Sequence, residues 1–179
     1  MRSSKSVMFL VVGIFVAAWL IPLNSMAKDA KHQNVEWKDI IGIIEPENVV
    51  GSGTTTVTGA GEPWSTRDGS AKVDLKTGKL EFHVKGLVFA GGKHIGTPGP
   101  IVEVIGTLVC NATGATGNGN SVLINTPAVK LDGEGDADFH DQVTLDSSCL
   151  TGDIAFLIRI PGTSSPPWIA NGAVRSIRH

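Results

Sequence analysis

The residues with most chemistry to offer are an alternating acidic run, three histidines, two cysteines and two Pro-Trp steps. Asp132, Glu134, Asp136 and Asp138 put carboxylates at every second position, an oxygen-rich pattern of the kind that holds calcium in an EF-hand loop. The match breaks at its sixth place, Ala137, where such a loop turns on glycine, and at its twelfth, Val143, where it needs a bidentate glutamate. Alternation alone places these carboxylates on the polar face of an outer strand, with Gly133 and Gly135 easing a turn. His83, His94 and His140 are the candidate ligands for a transition metal. No two of them have the close spacing of a zinc-binding pair, and His83 and His140 fit as outward residues of strands. The chain is therefore expected to need no cofactor, with calcium or a transition metal as the alternatives.

Cys110 sits in Leu-Val-Cys-Asn-Ala and Cys149 in Asp-Ser-Ser-Cys-Leu. Neither setting supplies the base or the positive surround of a nucleophilic thiol, so one disulfide between them is the expectation. On a chain-entropy estimate, closing a loop of about 40 residues contributes roughly 4 kcal/mol. Trp64 and Trp168 each follow a proline. Exposed on a sheet, their rings would stack on a sugar; buried, they would plug the end of a core. The absence of tyrosine and of any Asp, Asn and Trp cluster favours the plug. Nucleophilic catalysis by serine finds no Gly-x-Ser-x-Gly elbow, and Ser164 and Ser165 lie in a Pro-rich loop. Asn111-Ala112-Thr113 is a glycosylation sequon.

The front of the chain says where these groups work. Arg2 and Lys5, an uncharged apolar run over 7–23, then Ser25-Met26-Ala27 spell a secretory signal peptide cleaved before Lys28. Removing 27 of 179 residues leaves 152, with 13 basic and 17 acidic side chains and a net charge of −4. Nucleic acid is then an unsuited partner. No second apolar run approaches the roughly 18 residues of a membrane span, so attachment would require an uncleaved leader. A chain of this length buries roughly 70% of its unfolded surface in one core.

Glycine, proline and β-branched residues leave few helical windows, and the patterning that remains has period two. Its clearest instance is a hairpin over 70–88. Val73 and Leu75 alternate with lysines and Asp74, Thr77-Gly78 turns the chain, and Leu80, Phe82 and Val84 alternate with Glu81, His83 and Lys85. Further strands are expected over 37–44, 54–58, 101–110, 122–129 (bent or confined to an edge by Pro127), 135–145, 154–160 and 168–175, with 28–35 loose. About nine strands without βα alternation imply an all-β antiparallel sandwich with Greek-key connections, a single domain over 28–179 behind a signal helix. The disulfide would tie strand ends across the two sheets.

The stretch 74–87, with Thr77-Gly78-Lys79-Leu80 and Val84-Lys85-Gly86-Leu87, then His94-Ile95 and Gly99-Pro100-Ile101-Val102, resembles the first half of a CHRD domain. Gly96 stands where that family continues with histidine. A wider set of features is similar to uncharacterised exported bacterial proteins: the Pro63-Trp64 step, the Gly-Lys-Leu hairpin, Gly135-Asp136-Ala137, 145–149 and 156–170. These resemblances imply a secreted or periplasmic β-fold and bring no catalytic residues. The functional expectation is an exported non-enzymatic structural or binding module with a protein or glycan partner. Its alternatives are a carbohydrate-binding module using Trp64 and Trp168, or a metal-dependent enzyme outside the cytoplasm.

Overall fold

Alternating side chains cannot bury an apolar face alone, so strands of this pattern must pair and stack. The computed structural model describes residues 34–177. The leader, its cleavage point and residues 28–33 lie outside the described residues. The strands are β1 (Asn34–Trp37), β2 (Ile41–Gly42), β3 (Val49–Ser52), β4 (Thr55–Thr58), β5 (Trp64–Ser65), β6 (Asp68–Asp74) and β7 (Lys79–Lys85). They continue as β8 (Val88–Phe89), β9 (Glu103–Cys110), β10 (Val122–Asn125), β11 (Val129–Lys130), β12 (Ala137–Gln142), β13 (Asp153–Arg159) and β14 (Trp168–Ser176). Short 3-10 helices at Gly92–His94 and Ser147–Leu150 are the only helical turns among the described residues.

Two antiparallel sheets make a sandwich-like body. One has the order β1-β6-β7-β12; the other runs β10-β9-β13-β14-β2, with β11 also on β9. Hairpin β3-β4 and the pair β5-β8 stand apart. Phe156 of β13 joins the layers, its ring centroid 5.4 Å from that of Phe82 on β7 and 5.7 Å from that of Trp37 on β1.

The hairpin forms as its alternation requires. Val73 pairs with Leu80, Ala71 with Phe82 and Gly69 with Val84, all buried. Gly78 takes a φ of 75° and donates its N–H to the Asp74 carbonyl at 2.8 Å, a turn that only glycine makes without strain. The run 154–159 is buried on both faces of β13, as a central strand must be.

Several expectations are corrected. The strand proposed over 37–44 is two pieces in different sheets, β1 and β2, and Asn34 and Val35, expected loose, belong to β1. The strand over 122–129 breaks at Pro127, whose ring denies the ladder a donor; β10 lies at the sheet edge before it. More strands form than expected, because two-residue pieces such as β5 and β8 are too short to show a period. The disulfide also lies elsewhere than expected. Cys110 ends β9 and Cys149 lies in the helix Ser147–Leu150, just before β13, which pairs with β9 at Cys110 and Ile154. The bond therefore clamps neighbouring strands of one sheet, with a Cα–Cα distance of 4.6 Å.

Candidate functional site

Tryptophan stacking is overturned by burial. Trp64 is 2% exposed with its ring centroid 4.0 Å from that of Phe89, and Trp168 is 3% exposed. Trp168 Nε1 donates to the Asn48 carbonyl at 3.0 Å. Both rings fill core, since a large apolar surface gains more there than on an open sheet. Neither offers a face to a pyranose.

The acidic run is a turn at Asp132, Glu134 and Asp136, and only Asp138 stands on the exposed face of a strand, β12. Asp132 Oδ1 accepts from the N–H groups of Glu134 and Asp136, each at 2.9 Å. The Asp136 N–H above all, with its neighbours, holds the Asp132 carboxyl below the usual aspartate range. Asp136 in turn accepts from the Gly86 N–H at 2.9 Å and faces Arg67 at 3.7 Å. Backbone N–H groups thus engage Oδ1 of both Asp132 and Asp136.

Asp138 reaches the outer face of the four-stranded sheet beside His83, opposite it in register. His140 lies on the same face, 3.2 Å from Glu81, whereas His94 packs against Phe89 in the helix Gly92–His94. The three histidines do not converge, and among the described residues no group of three or more His, Cys, Asp or Glu side chains could hold a metal ion.

That outer face carries a pairing that reading along the sequence missed. Ser70 Oγ lies 3.1 Å from His83 Nδ1, and His83 Nε2 lies 3.7 Å from Asp68. The signal was present: counting back from the Gly78 turn places Ser70 opposite His83. Chemistry needs more than the pair, since an acyl intermediate requires donors for its oxyanion. Strands β6 and β7 lie inside their sheet, their backbone N–H groups engaged by neighbours on both sides. The depression here, about 580 Å³, is lined by cross-strand partners such as Lys72 and Glu81, the charge alternation that steadies a sheet.

The groove with unspent bonding capacity lies at the disulfide end. Asn111 builds one wall. It is buried at a φ of 53°, a region asparagine tolerates. Its Nδ2 donates to the carbonyls of Thr116 and Asn120 at 2.9 and 3.0 Å, and its Oδ1 accepts from the N–H and Oγ1 of Thr116 at 3.0 and 2.9 Å. Ser121 Oγ donates to the Asn111 carbonyl and accepts from the Ser52 N–H; Asn120 Oδ1 accepts from the Thr54 N–H. The loop 111–120 is thereby fixed to hairpin β3-β4.

The helix Ser147–Leu150 is the opposite wall, held by Cys149 and capped by Asp146, whose Oδ1 accepts from the Ser148 N–H at 2.8 Å. That bond holds the Asp146 carboxyl below its ordinary range. Ser148 Oγ is buried with no hydrogen bond of good geometry, although it lies near enough to Asp146 to help keep it ionised. Between the walls is a groove of about 470 Å³ floored in part by Val122. Asn118 Nδ2, Ser147 Oγ and Thr151 Oγ1 line it without a hydrogen bond to the protein. Amides, hydroxyls and one carboxylate thus share one depression.

Comparison with protein-family models, with curated proteins and with solved structures finds no match for this chain.

Proposed function

We propose that the chain is an exported, non-enzymatic binding module whose ligand lies in the groove between loop 111–120 and the helix Ser147–Leu150. The observation that carries this reading is a division of labour among polar side chains. Asn111, Asn120 and Ser121 spend their hydrogen bonds on the scaffold, while the Asn118 Nδ2 and the Ser147 and Thr151 hydroxyls keep theirs unspent around one depression. Binding residues carried on loops and positioned by a rigid framework are a common way to build such sites. Export is supported by the signal-peptide reading of residues 1–27 and by a disulfide, which lasts where thiols oxidise. No helix among the described residues is long and apolar enough to cross a membrane.

The test uses ¹⁵N-labelled protein expressed from the full chain and titrated with fractions of the expressing cell's envelope and medium. The amide signals of Gly117, Asn118, Ser147 and Thr151 should move together with at least one fraction. Movement confined to the outer face of the four-stranded sheet, or none with any fraction, would overturn the proposal.

A further inference from the structure

We infer that the groove beside the disulfide takes a neutral glycan, a reading that rests on the binding role proposed above. The residues lining it include no lysine, arginine or histidine, so a phosphate, sulfate or carboxylate ligand would find no counter-charge. Its one carboxylate, Asp146, has Oδ1 committed to the Ser148 N–H, and it stands without a second acid ligand for a metal ion.

What remains is a set of neutral donors and acceptors. Asn118 Nδ2 donates only; the Ser147 and Thr151 hydroxyls do both; Asp146 Oδ2 accepts. Sugar hydroxyls are the ligand groups that also do both, so neighbouring hydroxyls of a ring can satisfy this set. Val122 supplies an apolar surface for the C–H face of a ring.

Preorganisation makes such a ligand tenable. Polar contacts gain little net energy over water, so a site built from them must lose little freedom on binding. Here Asn111 fixes one wall with four hydrogen bonds, and the Cys110–Cys149 bond fixes the other. The floor and walls are set before any ligand arrives.

The probe is a panel of glucose, galactose, N-acetylglucosamine and maltose, with glycerol as control, added to the ¹⁵N-labelled protein expressed from the full chain. At least one sugar should give saturable shifts at Asn118, Ser147 and Thr151. Asn118→Asp keeps the acceptor that receives the Asn120 N–H and deletes the Nδ2 donor; Thr151→Val deletes a hydroxyl at constant shape. Each should weaken sugar binding about tenfold with the melting temperature unchanged, the size of one lost hydrogen bond. Shifts no different from those of glycerol would overturn the inference. Envelope fractions that move the groove while every sugar fails would reject the glycan and keep the binding role. Silence with both would remove both.

Discussion

Gly106 on β9 faces Phe82 on β7 so closely that a Cβ on the glycine would stand 2.6 Å from a ring carbon, and 3.2 Å from Phe156. The two sheets approach here because one side has no side chain. Gly106→Ala should therefore overfill the core and lower unfolding free energy by about 1–3 kcal/mol. Urea unfolding measures it, and a variant as stable as the parent would show that the layers are not packed as described.

Trp64 is core and not a platform. Trp64→Ala should cost about 3–5 kcal/mol, the range for emptying a buried aromatic site. A ligand-stacking ring on an open sheet would leave the melting temperature where it was, so calorimetry of this one variant separates the two roles.

The Cys110–Cys149 bond closes a loop with a sequence separation of 39. Its removal by Cys149→Ser, with Cys110→Ser to avoid a stray thiol, should lower stability by about 4 kcal/mol on the chain-entropy estimate. The loss should also loosen the helix Ser147–Leu150, seen as faster amide exchange at Cys149, whose N–H donates to the Asp146 carbonyl. Unchanged exchange there would mean the bond constrains only the unfolded chain.

Asp132 makes the turn at 132–136 acid-sensitive. Its folded-state pKa is depressed, chiefly by the Asp136 N–H, so its contribution is full above the ordinary aspartate range and is lost as pH falls through the lowered value. Amide exchange at Glu134 and Asp136 should quicken over that interval. Asp132→Asn keeps an acceptor oxygen for both amides and removes the charge, so exchange there should no longer depend on pH in this way. Persistence of the same acid transition in the variant would assign it to another group.

The strands that show a period were legible in the sequence, because alternation over six or seven residues leaves one reading of which side faces inward. The hairpin at 70–88 illustrates this: its turn residue and both buried sets follow from the residues themselves. Pieces of two residues carry no period, which is why β5 and β8 went unseen. Arg159 shows a different limit. Lying within the most apolar run, it is buried with Nε donating to the Pro166 carbonyl and Nη1 to Asn125 Oδ1, partners 7 and 34 residues away that only tertiary pairing supplies. Burial lowers its guanidinium pKa from the usual value. The groove was hidden for the same reason. Asn118 and Thr151 are ordinary loop residues in the sequence, and their neighbourhood exists only once β9 and β13 lie side by side.

One consequence of the Asn111 side chain reaches beyond the folded molecule. Both hydrogens of its Nδ2 are given to carbonyls inside the loop, yet Asn111-Ala112-Thr113 reads as an acceptor for an oligosaccharide. Attaching the sugar would take one of those hydrogens and force a bulky group into a buried position. Carbohydrate addition and completion of this loop are thus mutually exclusive. Made in a eukaryotic secretory line, the chain should split into an unmodified population that closes its loop and a modified one that stays open to proteases. Asn111→Gln would abolish the modified band without restoring the loop.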